Sequence, residues 1–170
     1  MSSHAISGLR VSRTADGGYV VQGVAGGALR ARPHREGFVL EVGGTLEATL
    51  DPAPADAPGW ILRGGPTGDE ELGRTTRPDP EGEAVEGTTI LLADGRCFRL
   101  AVRWVPEAVV DLLGLEGPGE YLRARPAGGE WRATWSASGS FLRGDRALEA
   151  LFTAEIARLG PQDPADSERE

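Results

Sequence analysis

TTILLADGRCFRLAVRW, residues 88–104, holds two runs of alternating side chains separated by Ala93-Asp94-Gly95-Arg96. After Arg96, the residues Phe98, Leu100, Val102 and Trp104 fall on one face, and Cys97, Arg99, Ala101 and Arg103 on the other. That period of two is the mark of a half-buried strand. Asp94-Gly95 is a pair that accepts the positive φ of a tight turn. The stretch therefore predicts a strand, a four-residue turn and a longer strand, and an antiparallel sheet is expected to form around this hairpin.

The same pattern recurs upstream. Phe38, Leu40 and Val42 alternate up to Gly43-Gly44, and Leu46, Ala48 and Leu50 are expected to return on the core side, with Thr45, Glu47 and Thr49 outward. Residues 9–13 and 19–24 flank Asp16-Gly17-Gly18 and predict a first hairpin, followed by a strand over 28–32 and a polar turn holding His34 and Arg35 between Pro33 and Gly37. DPAPADAP, residues 51–58, reads as a surface loop because proline donates no ladder hydrogen bond. Residues 60–63 and 72–76 are expected to pair across GGPTGDEE. RPDPEGEAVEG, residues 77–87, has little to bury and is expected to be exposed and mobile.

Downstream, the period changes. Pro106 suits a first helical turn, Glu107 complements the positive helix end, and Gly114 is placed as a C-cap. A short crossover helix is expected there, with Val109, Val110, Leu112 and Leu113 toward a core. Residues 121–125 and 131–135 form a last hairpin about Ala127-Gly128-Gly129-Glu130, with Trp131, Ala133 and Trp135 on one face. A longer helix follows, with Asp145 as N-cap, an apolar stripe of Leu148, Leu151, Phe152, Ile156 and Leu159, and a stop at Gly160-Pro161. Residues 1–160 are read as one β-rich domain and 161–170 as an acidic, disordered tail.

Composition narrows the chemistry. All 18 basic residues are arginine, and a chain without lysine forms no Schiff base and completes no phosphate loop ending in Lys-Ser or Lys-Thr. A net charge of -8 repels polyanions at long range, so neither nucleic acid nor an anionic membrane is an expected partner. The single cysteine allows no internal disulfide, and the first residues lack the basic start and apolar run of a signal peptide, so a cytosolic location is expected. No run approaches the length of a membrane helix, and a soluble chain is expected.

The candidate sites compete with plainer readings. Cys97 lies beside Arg99, which would favour a thiolate, but its only histidine bases are His4 and His34. One cysteine and two histidines cannot supply a four-ligand zinc site. Asp79, Glu81, Glu83 and Glu86 lack the spacing of a calcium loop and read as a solvated charge run. Ser136-Ala137-Ser138-Gly139-Ser140 departs from the Gly-x-Ser-x-Gly elbow and reads as a connector.

Trp60, Trp104, Trp131 and Trp135 all fall on expected strands, where they either fill a core or line an apolar site. Arg99, Arg103, Arg123, Arg125 and Arg132 lie on strands of the second half. If those strands are neighbours, their outer face is an arginine ladder able to hold carboxylate or phosphate, or to pair with Glu120 and Glu130. Arg99, Arg103, Arg123, Arg125, Trp104 and Trp135 are accordingly the candidate binding residues, with no catalytic residue and no cofactor expected.

The expected fold is mainly β, an antiparallel barrel or two-layer sandwich of about ten to twelve short strands, with the crossover helix and a C-terminal helix packed on the sheet or plugging it. A many-stranded barrel with a terminal helix is similar in outline to the tubby-like architecture, although a fully enclosed helix would be apolar all round. The expected function is non-enzymatic binding of a protein partner or small ligand. The alternative is a small enzyme using carboxylates or Cys97 in a cleft at the sheet end.

Overall fold

In the computed structural model, residues 8–24, 27–54, 58–78, 87–104, 106–115 and 119–159 are described. They form twelve strands and one α-helix. The strands are β1 (Gly8–Arg13), β2 (Tyr19–Gln22), β3 (Leu29–His34), β4 (Gly37–Val42), β5 (Thr45–Pro52) and β6 (Trp60–Gly64), followed by β7 (Glu70–Thr76), β8 (Thr89–Leu92), β9 (Cys97–Arg103), β10 (Val109–Gly114), β11 (Glu120–Ala127) and β12 (Glu130–Trp135). A single 3-10 turn, Ser140–Leu142, leads into α1 (Arg146–Leu159). Every strand pairs antiparallel with its neighbours in sequence, and β1 pairs with β12, so the sheet is a closed barrel. Closure removes both sheet edges.

The hairpin of residues 88–104 is present as β8 and β9, with Phe98 and Leu100 buried inside. Gly43 and Gly44 adopt φ of 60° and 84°, the positive values that a two-residue hairpin turn needs and that glycine supplies without a Cβ clash.

Three expectations are corrected. Residues 109–114 are β10 and not a helix: they pair with β9 from Val109↔Arg103 to Gly114↔Phe98, so Gly114 ends a strand and caps nothing. The helical reading fails because a strand lying between β9 and β11 buries a nearly continuous apolar run, which periodicity alone does not separate from a helix. Leu46 is 61% exposed. A bulge shifts the register, so that Leu40 opposes Ala48 while Glu41 opposes Leu46, and the extra residue Glu47 turns Leu46 outward. Trp104, in the third correction, follows the last rung of β9 and is 36% exposed, because the alternation has no neighbouring strand to carry it over a core.

Between the two placements expected for it, α1 plugs the barrel. Its residues 148–157 are all buried, which no helix lying on one surface could achieve. Its polar side chains are accommodated one by one. Thr153 Oγ1 donates to the Glu149 carbonyl at 2.7 Å. Glu155, fully enclosed, is paired with Arg77 and Arg158, both at 3.4 Å. Glu149 Oε2 accepts the Gly144 N–H at 3.0 Å, while Asp145 caps the Leu148 N–H. At the far end, Arg13 donates to the carbonyls of Ala157 and Arg158, which the helix itself leaves open. An enclosed helix can thus look amphipathic in sequence when its polar side chains find partners inside, Glu149 doing so among the described residues through Oε2 alone.

No helix among the described residues is long and apolar enough to cross a membrane. The acids at 79, 81, 83 and 86, the middle of the loop expected to be exposed and mobile around them, His4 and the tail lie outside the described residues; the first residue of that loop, Arg77, is described and is not exposed, because its guanidinium reaches in to Glu155.

Candidate functional site: an arginine groove on the outer face

Strand register decides which outward side chains meet. Alternation sends Leu122, Ala124, Trp131 and Ala133 inward, where they are buried, and turns Arg123, Arg125 and Arg132 outward. Arg125 stands opposite Arg132 across β11 and β12. Arg132 in turn stands opposite Arg10 across the β12–β1 seam. Three guanidinium groups therefore form one row over three strands.

A single carboxylate is set among them. Glu130 accepts from Arg10 Nε and Nη2 at 3.1 and 2.8 Å and from Ser12 Oγ at 2.8 Å, and Arg132 Nε approaches it at 3.6 Å. The Arg10 and Ser12 hydrogen bonds hold its carboxyl below the usual carboxylate range. The Arg125 guanidinium has no hydrogen bond or ion pair with any described residue. Arg123 differs: Asp111, directly opposite on β10, receives its Nε and Nη2 at 2.7 and 3.1 Å, a bidentate pair that uses up its fork.

Beside this row is a surface groove of about 450 Å3, lined by Glu120, Arg123, Arg125, Arg132 and Trp135 among others. Of the candidate binding residues, the fold thus gathers Arg123, Arg125 and Trp135. Trp135 is buried and opposes Leu122, so it contributes only an edge to the groove. Arg99 and Arg103 are exposed on β9, with β10 between them and β11, and Trp104 lies past the end of β9. The anticipated pairing with the protein's own acids engages Arg10, Arg123 and Arg132. Arg10 was not legible as a member, since its outward position follows from Leu9 and Val11 facing in, but its neighbour Arg132 is set by barrel closure.

The other candidates resolve into structure. In an antiparallel barrel, odd strands end where even strands begin, so Cys97, which starts β9, and His34, which ends β3, lie at opposite ends of the barrel. No cysteine–histidine pair forms among the described residues. No cluster of three metal-ligating side chains occurs among the described residues. Ser136 Oγ donates to the Glu120 carbonyl at 2.6 Å and accepts the Gly139 N–H at 3.1 Å, tying the connector to β11. No protein family, curated protein or solved structure matches the chain.

Proposed function

We propose that this chain is a non-enzymatic binding protein whose outer-face groove takes a discrete anionic group, a carboxylate or phosphate carried by a protein partner or a small ligand. One observation carries the reading: three arginines stand directly opposite one another, with one carboxylate between them. Like charges facing each other across strands destabilise a sheet, so folding alone gives no reason for the row. An anion bound by the free fork of Arg125 and the outer face of Arg132 supplies the missing countercharge, and guanidinium geometry favours bidentate oxygen acceptors. The chain's charge of -8 opposes a long polyanion, so the group is compact.

Calorimetric titration with inorganic phosphate and with a short glutamate-rich peptide tests this at low salt. The double substitution Arg125→Gln/Arg132→Gln is expected to lower affinity for the bound probe at least tenfold, and affinity should fall as salt rises. Arg99→Gln serves as the control and should change little. Binding of neither probe, or equal binding by the double variant, ends the reading.

A further inference from the structure

At the barrel end where α1 enters, exposed apolar side chains gather instead of scattering. Of the five large hydrophobic side chains exposed among the described residues, Leu91, Leu115 and Phe141 share one neighbourhood, at 44%, 58% and 73% exposure. Leu91 stands opposite Cys97 on the outer face of β8 and β9. Cys97 in turn lines a pocket of about 330 Å3 with Leu115, Tyr121 and Phe141, backed by the buried Phe98 and Leu142. The Tyr121 and Phe141 rings meet edge to face at 5.9 Å between centroids, which holds Phe141 at the rim although most of it meets solvent. Apolar side chains exposed singly need no explanation, whereas a contiguous patch around a concavity marks an interaction site.

Charge selects the occupant. The acids beside the patch are engaged: Asp94 and Asp145 both bind Arg96, Glu71 binds Arg74 opposite Leu91, and Glu120 lies 4.0 Å from Arg123. Two cations are left over. Arg99, two residues along β9 from Cys97, and Arg143, two residues past Phe141, are exposed, and neither guanidinium has a hydrogen bond or ion pair with any described residue. Arg99 stands on the outer wall and Arg143 follows the 3-10 turn at the barrel end, with the pocket lined from both sides of that rim. We infer that the rim docks a short segment of a partner protein, in which an aromatic side chain fills the pocket and flanking acidic residues pair with Arg99 and Arg143. The pocket is at the low end of small-molecule sites in volume, and aromatic anchors seated in pockets carry much of the energy of protein interfaces. Two carboxylates match the two open guanidinium groups, while the chain's charge of -8 opposes a longer acidic run. The pocket shares no residue with the arginine groove, so each reading stands or falls alone.

The probe is a short glycine-serine peptide carrying one tryptophan between two aspartates, compared with versions that have alanine for the tryptophan or asparagine for both aspartates. Added to 15N-labelled protein at low salt, it should shift the amide signals of Cys97, Leu115 and Phe141 saturably. The alanine peptide should bind about tenfold more weakly. The asparagine peptide should lose about fourfold to twenty-fivefold, the worth of two exposed ion pairs. Phe141→Ser, at a position the core does not use, should lower affinity about tenfold, and Arg143→Gln about twofold to fivefold. Arg125→Gln/Arg132→Gln should bind the peptide as the parent chain does. Absence of a saturable shift, or equal binding by Phe141→Ser, overturns the site. Equal binding of the aspartate and asparagine peptides overturns the acidic class. Sedimentation of the chain alone supplies the last arm: a dimer dispersed by Phe141→Ser would place a second copy on the patch and overturn the partner segment.

Discussion

Two glutamates show how placement sets the sign of a charge's effect. Glu149 is 2% exposed, and burial raises its carboxyl above the usual range while the Gly144 N–H pulls the other way. The folded chain then holds this proton more tightly than the unfolded one, so the contribution to stability falls as pH rises from the unfolded value through the folded one. Glu149→Gln keeps an oxygen for Gly144 and removes the charge. Unfolding in urea at pH 7 should show a gain on the order of 1 kcal/mol, and the decline in stability as pH rises past the ordinary carboxylate range should flatten. Glu130 behaves oppositely. Arg10 and Ser12 lower its carboxyl, so its stabilisation is present above the unfolded value and is lost as pH falls through the folded one. Glu130→Gln should cost about 1 kcal/mol at pH 7, since Arg10 and Arg132 lose their shared countercharge, and progressively less as pH falls and the carboxyl is protonated. Cys97→Ser should leave both fold and binding intact, because the thiol is far from any described histidine; a binding loss with unchanged thermal unfolding would restore a role for it.

At the scale of elements, α1 and β10 carry the sharpest tests. Leu151 is fully buried and touches the inner wall at Gly73, where a Cβ would stand 2.9 Å from its methyl. Leu151→Ala leaves a cavity inside a closed wall that cannot collapse onto it, and should cost about 2–5 kcal/mol by urea unfolding. A loss under about half a kcal/mol would place α1 outside the barrel. For β10, Cα chemical shifts over residues 109–114 should be those of a strand, and their cross-strand amides should exchange slowly. Helical shifts there would return the crossover helix that Pro106, Glu107 and Gly114 suggest. These end signals are common to helices and to strands entered from a turn, and only the partners on β9 and β11 separate the two.

For the whole molecule, the barrel and its plug depend on each other. Leu9, Leu40, Leu62, Leu100 and Leu122, from strands all around the wall, belong to one core with Leu148, Phe152 and Ile156 of α1. Ending the chain at residue 144 should therefore abolish cooperative thermal unfolding and expose apolar surface to a hydrophobic dye. The outer face, in contrast, carries Arg99, Arg103, Arg125 and Arg132 in exposed positions. That polarity is the reverse of a lipid-embedded barrel, which needs an apolar outer band. By itself the sequence determined the hairpins, since alternation and the Gly-Gly and Asp-Gly turns act over a few residues, and it determined the terminal helix through Asp145 and its formers. Barrel against sandwich, the enclosure of α1 and the fate of residues 109–114 were decided only in three dimensions. The reason is that pairing of β1 with β12 joins residues more than a hundred apart, and no local periodicity encodes that contact. The row of Arg10, Arg132 and Arg125 depends on the same closure: each arginine is legible as outward-facing in its own strand, but their meeting is a property of the closed sheet.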